Sequence, residues 1–414
     1  MGDVSQPGKL RGSNSHWVDS ITTLCVELVL QPRNLLPTSY TSSAISDRLS
    51  SRIPSLTMDD SKISISSASA HELTTAILAR YDVPEDRAKL IADACVLADQ
   101  RGVDTHGINR LSGYIERVKA GVLDPNPSLS FTTKTPVIAH LDAKNTFGMV
   151  AASLAVDKAT DMAETFGIGV VAVNHSNHFG MGATYLLRAI HRGFAAMAFT
   201  NASRAMPAWG SKEALLGTSP FAVGVPGGKL GDFVLDMSPC VAARGKIRKA
   251  ARRKEKIPEG YALDAEGKPT TDPEAALQGT VLPIGGPKGS GLAMMMDIFG
   301  GAMSGAAFAG GVNDQYKNLE EPQNVGHWFM VFKPDLFLDG GAAELGDRMD
   351  KLMKKVRASE KASGVERIWT SGEIEAQMQK TREEEGIPFT RGEIDALHAL
   401  ADEVGVEIRL RGMS

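Results

Sequence analysis

Ile168-Gly169-Val170-Val171-Ala172-Val173 runs directly into Asn174-His175-Ser176-Asn177-His178-Phe179-Gly180. The first six residues form an unbroken apolar run, rich in valine, of the length expected for a buried strand. Met181 to Gly193 follows with helical spacing and a glycine where a helix would stop. Two imidazoles and two carboxamides are therefore expected in a loop at the carboxyl end of a core strand. Open α/β sheets hold their ligands at that edge. Packing alone gives no reason for so many polar groups between two core elements.

Working outward, Val137 to Leu141 reads as a short strand, and Met149 to Phe166 as an Ala-rich helix closed by Gly167. Phe194 to Thr200, Phe221 to Val225 and Phe233 to Met237 are further strands. Alternation of this kind implies an α/β fold, a sheet covered by helices, over a body spanning residues 136–335. Residues 61–135 read as a helical N-terminal module. Ser69-Ala70-His71-Glu72 fits a capping box that opens a helix through Tyr81. A second helix starts at Pro84, carries Leu90, Ala94 and Leu97 on one face, and ends near Gly102. A third covers Ile108 to Gly121. Beyond Pro287-Lys288-Gly289 a helix over Leu292 to Met303 carries a methionine cluster that reads as core. Residues 336–414 form a C-terminal helical region, expected to pack back on the body. Its charged amphipathic helices cover Leu345 to Ala358, Glu373 to Glu385 and Glu393 to Val404.

Residues 1–60 are rich in Ser, Thr, Pro and Arg and weakly periodic. They read as a disordered extension, or as sequence upstream of a true start at Met58. An Arg- and Ser-rich organelle transit segment is the competing reading, and Asp3, Asp19, Glu27 and Asp47 weigh against it.

Composition narrows the partners. A net charge of -4 gives no reason to expect nucleic acid or an anionic membrane. No apolar run reaches membrane-spanning length. The three cysteines, Cys25, Cys95 and Cys240, form neither a CxxC pair nor a disulfide framework, which fits a reducing, cytoplasmic setting. Cys95 falls on the apolar side of its helix. The basic run of Arg244, Lys246, Arg248, Lys249, Arg252, Arg253, Lys254 and Lys256 lacks interleaved aromatics, so a solvated helix face is expected.

The chemistry-bearing candidates are few. Gly167-Ile168-Gly169-Val170-Val171-Ala172 matches GxGxxA, but these glycines enter a strand, whereas a dinucleotide fingerprint leaves a strand and opens a helix. It is rejected, and there is no Walker sequence. His178 is the candidate for proton transfer because imidazole titrates near neutrality. Asn174 and Asn177 beside it can orient a ring and a substrate. In Asp104-Thr105-His106-Gly107-Ile108-Asn109-Arg110, Arg110 stands one turn after His106, and a guanidinium pairs bidentately with a carboxylate. An Asp104-capped helix start with an exposed Arg is the alternative. His175 and His178 lack an HExxH arrangement or a Cys pair, so no metal site is expected. Gly285-Gly286-Pro287-Lys288-Gly289-Ser290-Gly291 opens a helix whose free N–H groups, with Lys288, suit a pyrophosphate.

Several segments, in order, carry a family resemblance. They are Arg101 to Gly107, Asn177-His178-Phe179-Gly180, Leu216-Gly217-Thr218-Ser219-Pro220, Leu235-Asp236-Met237-Ser238, Ala243-Arg244-Gly245-Lys246, Pro258-Glu259-Gly260, Pro287 to Gly291 and Pro322-Gln323-Asn324-Val325-Gly326-His327. Over residues 60–414 the chain resembles the malate/L-lactate dehydrogenases that are unrelated to the Rossmann enzymes. That family includes ureidoglycolate and sulfolactate dehydrogenases and piperideine-2-carboxylate reductase. The resemblance implies a non-Rossmann mixed sheet flanked by helices, and a homodimer. It also implies hydride transfer between NAD, or NADP, and a small 2-hydroxy or 2-oxo acid, with reduction of a cyclic ketimine carboxylate as the alternative. A non-catalytic nucleotide-binding protein of the same fold is the alternative from another class. The resemblance makes His178 the acid/base and His106 and Arg110 the carboxylate partners, with Thr105 and Asn177 at the substrate. Asn201, Ala202, Asp236, Met237, Ser238, Lys288 and Gly289 are the implied cofactor contacts. Thr105 stands where Ser is usual, Ser219 where Asn is usual, and Ser371-Gly372-Glu373 where a Pro-Gly-Glu turn is usual.

Overall fold

The run that begins at Ile168 lies inside a seven-stranded sheet. The computed structural model describes residues 62–413, so the expectations for residues 1–60 lie outside the described residues. Nine of the fourteen strands among the described residues build the large sheet and one two-stranded pair: β1 (Lys62–Ile65), β2 (Phe131–Thr135), β3 (Ile138–Asp142), β4 (Ile168–Ser176), β5 (Ala195–Thr200), β6 (Phe221–Gly228), β7 (Gly231–Met237), β8 (Val325–Phe332) and β9 (Ile387–Thr390). The large sheet has the order β2-β3-β4-β8-β5-β6-β7. Only β3 and β4 pair in parallel, with Ile138 opposite Val170, and every other neighbour is antiparallel. The sheet is therefore mixed, without the all-parallel half-sheets of a Rossmann fold.

Helix α4 (Gly148–Phe166) makes the crossover that a parallel pair demands. Its Ala151, Ala152, Ala155, Ala159 and Ala163 bury one close-fitting face against Val171 and Val173. Gly167 ends it in the left-handed conformation, φ 83°, and Gly169 then packs under the helix, where a Cβ would lie 2.0 Å from the Ala159 carbonyl oxygen. Both glycines of the GxGxxA match thus serve a helix end and helix–strand packing, consistent with its rejection.

The strand β4 is longer than its apolar run. Asn174 is paired with Asp142 on one side and Ser176 with Val325 on the other, so both neighbours satisfy the backbone of these polar residues. Only Asn177 and His178 of the four polar candidates lie in the loop. Helix α5 (Ala183–Ile190) then begins two residues later than expected.

The N-terminal module holds α1 (Ser67–Ala79), α2 (Glu85–Gln100) and α3 (Leu111–Lys119). The capping box at Ser69 is not formed. Ser66 is the N-cap and accepts from the Ser69 N–H, while the Ser69 hydroxyl donates to the Arg409 carbonyl. The third helix begins as a separate tight turn, Ile108–Arg110. Basic residues 244–253 form α6 (Arg244–Arg253), anchored by buried Ile247. Helix α7 (Pro287–Asp297) buries Met296 but leaves Met294 51% exposed, and Met303 beyond it is 53% exposed. The methionine cluster is thus core only in part.

Residues 336–413 hold α8 (Gly341–Arg357), α9 (Glu373–Glu385) and α10 (Arg391–Glu403). This region packs on the N-terminal module as well as on the body. Strand β9 pairs antiparallel with β1, and Phe389, Ile394 and Leu397 join Leu73, Ile77 and Ile91 in one core. Thr390 and Glu393 form a complete capping box at the start of α10. Among the described residues no helix is long and apolar enough to cross a membrane.

Candidate active site

A cavity of about 660 Å³ opens where the end of β4, the turn after α2 and the end of β7 converge. His106, Arg110 and His178 all line it, although 72 residues separate His106 from His178 in the chain. Their rings stack with centroids 5.3 Å apart.

His106 and Arg110 stand on two successive 3-10 turns, Asp104–His106 and Ile108–Arg110, with Gly107 between them. The Ile108 N–H donates to Asp99 Oδ2 at 2.9 Å, so α2 carries the turn directly. Gly107 has ordinary extended backbone, and it is space that demands glycine. A Cβ there would lie 1.6 Å from Asp99 Oδ1. Arg382 on α9 donates to the Asp99 carbonyl and to the Asp104 carboxylate. Burial pushes the Asp99 carboxyl up to about 8, so it stays largely protonated below that pH. Thr105 Oγ1 is 2.9 Å from His106 Nδ1, and the Arg110 Nε–H donates to the Thr105 carbonyl, which leaves both Nη groups of Arg110 for a ligand.

His178 is held at both ends. Its backbone N–H donates to Gln323 Oε1 at 2.9 Å, and its Nδ1 lies 2.8 Å from the Tyr114 hydroxyl. Burial lowers the His178 pKa well below the ordinary imidazole value, and the Arg110 guanidinium lowers it further. Burial, then Arg110, brings His106 down to about 4. Both imidazoles are thus neutral at neutral pH. With Nδ1–H donating to the Tyr114 oxygen, the Nε2 lone pair of His178 is free to take a proton.

Behind the loop, Asn177 is buried and donates from Nδ2 to the carbonyls of Asn145 and Thr146. It fixes the loop and does not line the cavity. Gly148 allows this approach, since a Cβ would lie 2.2 Å from the Asn177 carbonyl oxygen. His327 is fully buried, with Nδ1 2.8 Å from Thr200 Oγ1 and Nε2 2.8 Å from Ser176 Oγ. It ties three strands together and stacks on Phe179 at 4.9 Å.

Asn201, Ala202, Asp236, Met237 and Ser238 line the same cavity. Asn201 Nδ2 donates to the Ala307 carbonyl and its Oδ1 accepts from the Gly326 N–H. Asp236 Oδ2 accepts from the Ala183 N–H at the start of α5, and burial raises its carboxyl to about 6. Lys288 and Gly289 are not among the lining residues. Gly289 is packed under Ile284 and Pro239, where a Cβ would clash with backbone. His175 turns to Asp142, with Nδ1 3.0 Å from Oδ1. Tyr114, Gln323, Tyr316 and Arg248 belong to the site although the sequence assigned none of them a role there. Tyr114 stands four residues after Arg110, Gln323 lies in the Pro322 to His327 segment, and Arg248 lies in the basic run. Arg244 and Arg248 face the cavity, whereas Lys246, Lys249, Arg252 and Arg253 occupy the solvated face expected of the basic run.

A mixed sheet without a dinucleotide fingerprint thus carries paired imidazoles and a guanidinium at one cavity, an arrangement suited to binding an anion and moving a proton. The model of the malate/L-lactate dehydrogenase family matches residues 65–398, and the chain belongs to that family. It is therefore a hydroxy acid dehydrogenase acting on CH–OH donors. It is 38% identical to the L-sulfolactate dehydrogenase of Methanocaldococcus jannaschii over 340 residues, covering 81% of this chain and 96% of that enzyme. Malate dehydrogenase of Pyrococcus abyssi is 33% identical, covering 84% of this chain and 97% of its own length. The solved sulfolactate dehydrogenase from M. jannaschii superposes with a TM-score of 0.79 at 36% identity, over 84% of this chain and 98% of that one.

Proposed function

We propose that this chain transfers a hydride between NAD, or NADP, and a small 2-hydroxy acid of the malate or lactate type. The observation that carries this reading is the convergence of neutral His178, His106 and Arg110 on one cavity. The volume of about 660 Å³ exceeds what a three- or four-carbon acid occupies and leaves room for a second, larger ligand. Asn201, Ala202, Asp236, Met237 and Ser238 would hold the cofactor, which fits the polar character of that stretch of wall. Lys288 and Gly289 lie off the wall, so the phosphates would rely on other groups. A bound nicotinamide supplies the hydride acceptor.

Arg110 clamps the substrate carboxylate through its two free Nη groups. Thr105 holds His106, whose ring stacks on His178 and limits its rotation. His178 accepts the hydroxyl proton at Nε2 as C2 loses its hydride, while Nδ1–H stays on Tyr114. In the reverse direction the imidazolium returns that proton. Acid/base help of this kind is worth about 10²–10⁴-fold.

A homodimer in the cytoplasm is the proposed working state. Met294 and Ile298, one turn apart and half exposed, support an apolar contact between subunits. The function is tested by mixing the protein with NADH, and separately with NADPH, and a panel of 2-oxo acids and cyclic imine acids. Loss of nicotinamide absorbance with a 2-oxo acid is expected. Turnover of imine acids alone would replace the hydroxy acid reading, and no turnover with either cofactor would remove it.

A further inference from the structure

Arg117, on α3, is 1% exposed, and among the described residues no carboxylate pairs with it. Its guanidinium reaches backbone carbonyls of one loop instead. Nη1 donates to Asn318 at 2.8 Å and more weakly to Gln315 at 3.4 Å, and Nη2 donates to Glu321 at 3.3 Å. That loop lies within residues 303–324, which join the helical turn after α7 to β8 without a helix or strand of their own. Irregular stretches longer than about 12–15 residues are uncommon and usually serve a site. Side chains stiffen this one from within. Asp314 Oδ1 accepts from the Tyr316 and Lys317 N–H groups, and Asn318 Oδ1 from those of Glu320 and Glu321. The Asn313 N–H donates to the Gln323 carbonyl and closes the loop. Two of its residues reach the site. The Tyr316 ring centroid is 5.4 Å from the Arg110 guanidinium carbon, and Gln323 accepts from the His178 N–H.

A buried guanidinium costs desolvation, and an apolar side chain of similar length would fill the space without that cost. Only the guanidinium supplies a planar fork of donors, able to hold several carbonyls of an irregular chain at once. Tyr114 stands one turn before Arg117 on α3, and its hydroxyl is 2.8 Å from His178 Nδ1. Helix α3 thus reaches His178 twice. It meets the ring through Tyr114, and the backbone through Arg117, the loop and Gln323. Resting on the reading of His178 as acid/base, we propose that Arg117 is a positioning residue for it. The guanidinium holds residues 313–323 in the conformation that seats Gln323 against the His178 backbone and Tyr316 against Arg110. On the cofactor wall, Asp236 and Ser238 bond elsewhere, to the Ala183 N–H and the Thr218 carbonyl. The effect of Arg117 therefore falls on the acid and its proton transfer, not on the cofactor.

The test is steady-state kinetics together with amide hydrogen exchange read by mass spectrometry, on wild type and Arg117→Met. The variant is expected to lose tenfold or more in kcat/KM for whichever 2-oxo acid wild type reduces, while the cofactor KM changes less than twofold. Residues 313–323 and the peptide that carries the His178 N–H are expected to exchange tenfold or more faster, with α4 as protected as in wild type. Arg117→Lys keeps the charge but not the fork. It is expected to show the same pattern at threefold or more, which decides the matter should the Met variant not fold. Unchanged exchange at either segment, unchanged kcat/KM for the acid, or equal losses for acid and cofactor would overturn the assignment. Faster exchange at both segments in a protein that turns over no acid would remove the proposed function and leave Arg117 as the holder of the His178 backbone. Turnover by wild type with exchange unchanged in the variant would do the reverse.

Discussion

At the scale of single residues, the environment of His178 decides the direction in which it works best. Burial and the Arg110 cation hold it neutral, so it is ready as a base for oxidation of a hydroxy acid. Protonation costs activity only as pH falls below the ordinary imidazole range. A carboxylate on Arg110 cancels the largest of the charge effects that act beside burial, so the His178 pKa rises in the complex. The acid-limb pKa seen in kcat is accordingly expected above that seen in kcat/KM, and equal values would argue against coupling to Arg110. Gln at position 178 retains polar bonding capacity but carries no titratable proton. His178→Gln is expected to lower kcat by about 10²–10⁴-fold with the cofactor KM nearly unchanged, measured by steady-state kinetics.

At the scale of elements, the turn between α2 and α3 is a rigid mount. Asp99 and Gly107 are packed so tightly that Gly107→Ala must displace the turn carrying His106 and Arg110. A kcat/KM loss of at least tenfold is expected, in line with the cost of small misplacements at a reacting centre, with the melting temperature as the check that the fold persists. Asp99 also links this turn to pH. Its folded pKa of about 8 exceeds the ordinary carboxyl value of 3.8, so its contribution to stability is full below the lower value and is lost as pH rises toward the upper one. His106 at about 4 and His327 at about 3 run the other way, losing stability as pH falls below 6.5. Between pH 6.5 and 8 only the Asp99 effect remains among these groups. Wild type is expected to lose thermal stability across that window, and Asp99→Asn to flatten the loss. Parallel melting curves for the two proteins would refute this assignment.

At the scale of the whole molecule, strand β9 closes the fold by pairing with β1 across more than 300 residues of chain. Phe389 on β9 is 2% exposed and packs in the core formed by α1 and α2, the same α2 that carries the catalytic turn. Phe389→Ala is expected to destabilise the protein by about 3–5 kcal/mol, read as a lower midpoint in denaturant unfolding. Helix α9 supports the site from the same region. Arg382 grips the Asp99 carbonyl and Asp104, and Gln379 accepts from Arg101. The C-terminal residues thus hold the site in shape from behind.

Local physics made the apolar run of β4, the Ala-rich face of α4, the glycine ends and the His/Arg candidates readable, because each depends on neighbours a few residues away. The order of short motifs carried the family. The sequence also favoured a loop over Asn174 to Ser176, but only the strands on either side decide that these polar residues extend β4. Asn177 and Lys288 carry the right chemistry in sequence, and only the fold turns them away from the cavity. Gln323, Tyr316 and Arg248 reach the site from segments remote in the chain from His178, and Tyr114, though near Arg110, meets His178 across 64 residues. Periodicity fixes what each element is. Which side chains meet depends on long-range pairing, which no local pattern encodes.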